Sequence, residues 1–261
     1  MSSIKPYTAL LKSRLSMTVA FSGTFGYLLA PIDHKPLGIF LISLAGFVLT
    51  GAANIVNQLK EIELDKLMKR TAKRPLPTQA LTPEQARNFG YILAVIALAL
   101  LSYFTWKAAL IGLISYVLYG YVYTPLKRVG PISVFVGAFP GAFPPMIGWV
   151  AATGHFGWEP GILFAIQFFW QFPHFWAIAW VADADYRKAG FKMLPNDGKK
   201  DIKTAFTIMI YTLFLVPLGF VPYLLHITGI QSAIITVVAG ILFLCQTFYL
   251  MMRPTDKAAK W

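Results

Sequence analysis

The chain has 261 residues, of which 57% are hydrophobic, 15% aromatic and only 13% charged. Soluble domains carry about a quarter charged residues, and the apolar residues here form long blocks, so the composition excludes an ordinary soluble protein and predicts an integral membrane protein. The net charge of +12 would suit a nucleic-acid-binding protein, but the basic residues concentrate in loops between apolar blocks, which argues against that class.

We predict an all-α, polytopic membrane bundle with eight spanning helices in a single domain, residues 1–261. An apolar run of about 20 residues is long enough to cross a bilayer as a helix. The predicted spans are 14–31, 37–59, 88–106, 108–124, 131–152, 160–181, 204–226 and 231–252. The N-terminal segment lacks the cleavage pattern of a secretory signal, so we assign it to the first span.

The distribution of basic residues predicts the topology. Of the 23 lysines and arginines, 21 fall on one side of these spans, and Lys35 and Lys107 fall on the other. Because basic loops remain in the cytoplasm, we expect the N-terminus and the long loops 60–87 and 182–203 to lie inside. The sequence does not begin with an Arg- and Ser-rich presequence, so we expect a bacterial inner membrane rather than an organelle.

An acidic segment follows directly after the second apolar block. In "NQLKEIELD", Asn57, Glu61 and Asp65 are spaced four apart and therefore share one helix face. Acids near the membrane centre cost about 2.5–3.5 kcal/mol each, so we expect this column to face a cavity. Carboxylate and amide oxygens are ligands that suit Mg²⁺. The alternative is a solvated helix end, with the acids paired to neighbours such as Lys69.

A second acidic segment, "ADADYRKAG", lies on the same predicted side and contains Asp183 and Asp185. Together the two segments are typical of a two-sided clamp for a metal ion and a diphosphate, in which cations neutralise the leaving group. The candidate diphosphate-binding residues are Arg70, Lys73, Arg74, Lys127 and Arg128. For each of these residues alone, the topology of the loops is a sufficient explanation.

The acidic segment resembles the first aspartate-rich signature, N-[D/N]-x-x-D-x-x-x-D, of the UbiA superfamily of intramembrane prenyltransferases. Asn57, Gln58, Glu61 and Asp65 occupy its four positions. The blocks "MKRTAKRPLP", "YTPLKR", "VGAFPGAFPPMIGW", "FFWQFPHFWAIAW" and "DYRKAGFKMLP" resemble one branch of that superfamily, the haem O synthases or protohaem IX farnesyltransferases. The resemblance runs from about residue 7 to the end of the sequence.

The sequence departs from the superfamily pattern at two points. The second signature is usually D-x-x-x-D, whereas Asp183 and Asp185 are two apart; haem O synthases commonly keep an aspartate–tyrosine pair there, which favours Asp185 over Asp183. The resemblance implies nine spans and we predict eight, so either the sequence is a fragment or this version of the protein lacks the ninth span.

The resemblance implies a transferase that moves a farnesyl group from farnesyl diphosphate to a vinyl group of haem B, with addition of water, to give haem O. It implies that Asn57, Glu61, Asp65 and Asp185 are catalytic and hold Mg²⁺, and that the site faces the cytoplasm. Haem A synthase or the assembly of a terminal oxidase would be the downstream partner in the bilayer.

The resemblance also implies a haem-binding surface around His174, with Trp170 and Trp176. Pro173 can kink this helix and open a cavity, and a histidine within a span can ligate iron or contact a porphyrin. The alternative for His174 is a structural, hydrogen-bonded core residue.

Two other functions are compatible with parts of the sequence. One is a prenyltransferase that acts on an aromatic quinone precursor, which the blocks around His174 and Asp185 disfavour. The other is a haem or ion transporter with buried acids. A transporter predicts acids across the whole membrane depth, whereas only Asp33 and Glu159 of the eleven acids fall on the outer side.

Overall fold

The computed structural model describes residues 4–260, and within that range the chain is helical and contains no strand. The α-helices are α1 (Ile4–Leu10), α2 (Ser13–Leu29), α3 (Pro36–Lys60), α4 (Ile62–Leu67), α5 (Pro83–Phe104), α6 (Trp106–Val117), α7 (Thr124–Leu126), α8 (Ile132–Thr153), α9 (Trp158–Val181), α10 (Asp183–Lys188), α11 (Ile202–Leu213), α12 (Leu215–Leu224) and α13 (Ile230–Met252). A π-helical segment, Leu118–Tyr123, joins α6 to α7, and short 3₁₀ turns cover Asn196–Gly198 and Ala258–Lys260.

Each of the eight predicted spans coincides with a helix or a pair of consecutive helices. Seven helical stretches in the described range are long and apolar enough to cross a membrane. The predicted span that is not among these seven is α2. It has 17 residues and is about 26 Å long at 1.5 Å per residue, which is shorter than a hydrocarbon core of about 30 Å. The all-helical membrane fold is confirmed, and the eighth span stays a prediction.

The prolines of α8 lie inside the bundle and not at a lipid-facing kink. Pro140, Pro144 and Pro145 are all buried, and α8 packs against both α2 and α9. At Gly148 a β-carbon would collide with the backbone carbonyl of Gly23, so the absence of a side chain permits α2 and α8 to touch. Small residues permit this kind of close packing between membrane helices.

The helix α3 lies at the centre of the first half of the fold, packed against α2 and α5. Residues 51–58 of this helix are all buried, including the polar residues Asn54, Asn57 and Gln58. The π-helical segment passes beside it, and a β-carbon at Gly120 would lie 2.7 Å from a methyl group of Val56. Segments of π-helix frequently occur at functional sites. Here the segment brings α6 close to the polar end of α3.

The largest apolar cluster lies next to that polar end. It joins Met68 and Tyr123 to Trp176 and Trp180 of α9, and to Phe191 of the loop after α10. The two long loops that we expect on the cytoplasmic side are therefore packed on one common core. This core packs the segments that follow α3 and α9 against the π-helical segment and α8.

Candidate active site

The acidic column is buried although α3 ends within it. At Glu61 the backbone leaves the helical region (φ −110°, ψ 14°), and α4 starts one residue later. The four-residue hydrogen bonds nevertheless continue, since the Glu61 amide donates to the Asn57 carbonyl at 3.1 Å and the Asp65 amide donates to the Glu61 carbonyl at 2.7 Å. Glu61 is 3% exposed and Asp65 is 0% exposed. The expected single face is confirmed, and the alternative of a solvated helix end is wrong for these two acids.

Each carboxylate of the column is paired with a cation from another part of the chain. Lys127 Nζ lies 2.9 Å from Glu61 Oε1, and Arg74 Nη1 lies 2.7 Å from Asp65 Oδ2. Both cations are themselves largely buried. Removing two charges from water costs several kcal/mol unless they are paired, so these contacts are what permits the acids to be buried. Lys69, the neighbour considered from sequence, is exposed.

Lys12 is a third cation in the site, and the sequence did not single it out. It lies between α1 and α2 with a positive φ of 48°, and its Nζ donates to Asn57 Oδ1 at 3.4 Å. Burial is the main reason that the pKa of Lys12 falls to about 7. The nearby positive charges of Arg74 and Lys127 lower this pKa further, whereas the negative charges of Glu61 and Asp65 raise it. The only sequence signal was its position directly before the first span, which topology already explained.

A polar shell orients the first residue of the column. Asn57 Nδ2 donates to Thr124 Oγ1 at 3.2 Å, and the Thr124 hydroxyl donates to the Tyr119 carbonyl at 2.8 Å. The hydroxyl of Tyr119 in turn donates to Asn54 Oδ1 at 3.4 Å. Because the Asn57 amide nitrogen faces Thr124, the Asn57 oxygen is directed toward Lys12. The sequence did not point to Tyr119 or Thr124.

Gln58, which matches the second position of the signature, points away from the column. Its amide nitrogen donates to the carbonyl of Leu10 at 2.8 Å and to that of Asn54 at 3.1 Å. Gln58 therefore ties the end of α1 to α3. This contact holds in place the segment that carries Lys12.

The donor set of the column fits Mg²⁺. In the described part of the chain, no group of three or more His, Cys, Asp or Glu side chains is close enough to hold a metal ion by itself. The column offers two carboxylates and an amide oxygen, and Asp65 Oδ1 is buried without a hydrogen-bond partner among the described residues. Because Mg²⁺ is usually held by one or two carboxylates together with water and substrate phosphates, this set suits a metal ion shared with a diphosphate.

The second acidic segment lies near the column but is not joined to it by its carboxylates. Asp183 pairs with Arg187 at 2.9 Å and Asp185 pairs with Lys188 at 3.4 Å, all within α10. The two acidic side chains are similarly accessible, at 18% and 23% exposed, so burial does not distinguish Asp185 from Asp183.

Lys127 connects the two acidic regions indirectly. Its ammonium group lies 5.4 Å from the ring centre of Phe191, and the rings of Phe191 and Tyr186 are 5.8 Å apart. The backbone amide of Lys192 also donates to the Lys127 carbonyl at 2.9 Å. The second acidic segment is thus on the same side of the bundle as Glu61, and the participation of Asp185 as a ligand stays a prediction.

The five predicted diphosphate-binding residues separate into two groups. Arg74 and Lys127 lie within the acidic site. Arg70, Lys73 and Arg128 are exposed, and Arg128 lines a different groove beside the end of α3.

The predicted haem-binding residues also separate. The ring of His174 stacks on Trp170 with centroids 4.4 Å apart and an angle of 16°, which makes a flat surface on α9. Trp176 is buried in the core, 5.0 Å from the ring of Tyr211. Phe175 lies between the His174 surface and the acidic site, with its ring 6.4 Å from that of Tyr123. The flat His174 surface therefore adjoins the wall of the acidic site.

Comparison with known proteins identifies the family. The profile of the UbiA prenyltransferase family matches residues 19–261. A protoheme IX farnesyltransferase of Cytophaga hutchinsonii is 54% identical over 99% of this chain and 91% of its own. A solved digeranylgeranylglyceryl phosphate synthase, 24% identical, covers all of this chain and 91% of its own with a TM-score of 0.82. A homologue from Archaeoglobus fulgidus, solved with DMAPP and Mg²⁺, is 17% identical and covers 95% of this chain and 87% of its own with a TM-score of 0.76. The chain belongs to the UbiA prenyltransferase family.

Proposed function

We propose that this chain transfers the farnesyl group of farnesyl diphosphate to a vinyl group of protohaem IX (haem B) and that addition of water gives haem O. The name of the Cytophaga hutchinsonii relative, at 54% identity over nearly the whole chain, supports the choice of substrates. The observation that carries the proposal is the buried convergence of Asn57, Glu61 and Asp65 with Lys12, Arg74 and Lys127. Such a cluster suits a metal-bound diphosphate.

Asn57, Glu61 and Asp65, with Asp185 from α10, would hold Mg²⁺. When bound, Mg²⁺ supplies positive charge that stabilises the diphosphate as it leaves. The Archaeoglobus fulgidus homologue binds Mg²⁺ together with DMAPP, which supports the same requirement in this family member. The unpartnered Asp65 Oδ1 is the oxygen best suited to accept a cation without breaking an existing contact.

Lys127 and Arg74 would stabilise the leaving diphosphate. They are paired with Glu61 and Asp65, so both the anion-binding and the metal-binding groups are already at the same place. Preorganised charges of this kind stabilise charge that develops in the transition state. Arg70 and Lys73, exposed on the loop that leads to Arg74, would attract the diphosphate from solution. Because Arg128 lines a different groove, we leave it out of this proposed set.

The chemistry requires that water be excluded until the carbon–carbon bond has formed. The allylic carbon–oxygen bond breaks with its electron pair on the diphosphate, and the π electrons of the vinyl group then attack the farnesyl cation. Water adds to the resulting carbocation and loses a proton. The rings of Tyr123 and Phe175, 6.4 Å apart, provide apolar, electron-rich walls that shield and stabilise a cation.

The stacked pair of His174 and Trp170 would bind the porphyrin. A flat face suits the macrocycle, and His174 can reach iron as an axial ligand. Trp176 would contribute indirectly, because its ring is buried in the core and supports α9 there.

The distribution of charge supports a location in a bacterial inner membrane with the active site toward the cytoplasm. The acidic column, Lys12, Arg74 and Lys127 all lie at the end of the bundle that carries most of the basic residues. We place the whole of residues 1–261 in a single prenyltransferase domain. The product would pass to haem A synthase or to the assembly of a terminal oxidase.

A product assay tests the proposal. Membranes that contain the protein are supplied with farnesyl diphosphate, Mg²⁺ and haem B, and extracted haems are analysed by mass spectrometry. The expected product is heavier than haem B by a farnesyl group plus water. If haem B is unchanged and an aromatic quinone precursor is prenylated instead, the haem assignment is wrong and the acceptor is aromatic.

A further inference from the structure

A groove of about 820 Å³ lies outside the acidic site, between the end of α3, the helix α4 and the start of α5. Volumes of this size are typical of small-molecule sites. We propose that this groove binds the phosphate headgroup of an anionic phospholipid. The proposal does not depend on the reaction that the enzyme catalyses.

The charge of the groove favours an anion. Its cations are Lys60, Lys66 and Arg128, and its one acidic lining residue is Glu63. Glu63 is paired with Lys66 at 2.7 Å and its side chain is 79% exposed. Neither Lys60 nor Arg128 has an ion-pair partner among the side chains that the structure describes. The two cations are therefore available to an external phosphate.

The apolar lining distinguishes a lipid from a free anion. Leu59, Ile62 and Leu76 contribute to the wall of the groove, and Leu67 and Val129, which adjoin groove residues in sequence, are exposed. A free phosphate would gain nothing from these apolar side chains. A phospholipid places its glycerol and first methylene groups directly beside its phosphate, so it matches both parts of the lining.

The position of Lys60 agrees with the membrane interface. Its ammonium group lies over the ring of Tyr121 at 4.9 Å, and Tyr121 is exposed on the outside of the bundle. Tyrosines are enriched at the level of the headgroups, and basic pockets between helices on the cytoplasmic side bind anionic headgroups. The groove thus lies at the depth where a headgroup phosphate would be found.

The groove is also separate from the active site. Glu61 lies between Lys60 and Ile62 in sequence, but its carboxylate faces Lys127 on the opposite side of the chain. Likewise Lys127 and Arg128 are adjacent and face different regions. The basic pair in "YTPLKR" therefore serves two sites, with Lys127 in the active site and Arg128 in the lipid groove.

Native mass spectrometry of the detergent-purified protein tests this proposal. The probes are phosphatidylglycerol and phosphatidylcholine with the same acyl chains. The variant Lys60→Gln/Arg128→Gln is compared with wild type and with the control Lys199→Gln/Lys257→Gln, which removes two exposed charges from the same basic face. A charge near an anionic lipid surface contributes enough for about a fivefold change in affinity. We therefore expect about 25-fold weaker retention of phosphatidylglycerol in the groove variant, with little change in the control.

Three results would overturn the proposal. One is undiminished phosphatidylglycerol retention in a folded, monodisperse groove variant. The second is an equal loss in the control, which would assign the effect to the overall charge of the face. The third is displacement of phosphatidylglycerol from wild type by excess pyrophosphate, which would show that the groove takes free diphosphate. Retention of phosphatidylcholine should be the same in all three proteins.

Discussion

The two acidic segments, at the end of α3 and in α10, have similar sequences of acids followed by bases but different structures. At the end of α3 the acids are buried; Glu61 pairs with Lys127, 66 residues away, and Asp65 pairs with Arg74, 9 residues away. In α10 the acids pair with cations three or four residues away, and they are partly exposed. The difference shows that acidic composition alone does not define the site; burial and long-range charge pairing do.

The largest expected loss of activity comes from replacing the buried acid Asp65, compared with its exposed neighbour Glu63. We expect Asp65→Ala to abolish detectable turnover because it removes a proposed metal ligand and leaves Arg74 unpaired. Breaking a buried ion pair from one side costs about 3–5 kcal/mol, so the thermal midpoint in detergent should fall as well. The control Glu63→Ala, two residues away and 79% exposed, should retain wild-type activity. Full activity in Asp65→Ala would contradict the role of the column.

The second test compares Lys127 and Lys188, the cations that pair with an acid of the first and of the second segment. Lys127→Ala should lower kcat at least about 100-fold, the scale on which loss of one charge-stabilising group acts, and should destabilise the protein by leaving Glu61 unpaired. Lys188→Ala removes only the exposed partner of Asp185, and exposed pairs contribute about 0–1 kcal/mol. Stability is measured by thermal unfolding in detergent. Equal destabilisation by the two changes would remove the structural distinction between the regions.

A smaller effect is expected at the proposed haem surface. This test distinguishes binding of the acceptor from binding of the diphosphate. His174→Ala should weaken haem binding about tenfold, and it should leave the affinity for farnesyl diphosphate unchanged, because His174 stacks on Trp170 and not on a charged group of the acidic column. Haem titration by absorbance and calorimetry with a non-reactive diphosphate analogue measure the two affinities. An unchanged haem titration would return His174 to a structural role.

The smallest expected change in stability concerns Asp201, an acid on the same predicted side of the membrane that belongs to neither of the two acidic segments. Asp201 caps α11 by accepting the backbone amide of Thr204 at 2.9 Å, and this hydrogen bond lowers the pKa of Asp201 below its ordinary value of 3.8. A lowered folded-state pKa means that the stabilisation is present above pH 3.8 and is lost as the pH falls through the folded pKa. Asp201→Ala should therefore lower the thermal midpoint slightly at neutral pH, and the difference from wild type should vanish in strong acid. Asp201→Asn, which keeps an acceptor for the Thr204 amide but cannot carry the charge, should lower the midpoint at neutral pH less than Asp201→Ala does.

The positions of the membrane helices were predictable because they depend on local composition. Long apolar blocks between charged loops are sufficient to identify them. The start of α5 is also set locally, by a capping box between Thr82 and Gln85. The π-helical turn at Leu118–Tyr123 was not predictable, because its sequence continues the apolar run of α6 and no residue type marks the change in hydrogen bonding.

The candidate site was predictable only in part. The four-residue spacing of Asn57, Glu61 and Asp65 is a local property of a helix and was correct from sequence. Lys12 was missed because it lies 45 residues before Asn57, among basic residues that topology explains. The divergence of Lys127 and Arg128 into two different regions also has no sequence signal.

The sequence by itself determined that this protein lies in a membrane, where its helices run, which side carries the positive charge and which three oxygen-bearing side chains share a face. These four properties follow from composition and from periodicity, which are local features of the sequence. Only the tertiary structure decided which cations neutralise those oxygens and which basic residues face the lipid groove. Charge pairing between distant segments depends on how the helices pack, since burial makes an unpaired charge unstable and selects the partner that packing brings within reach.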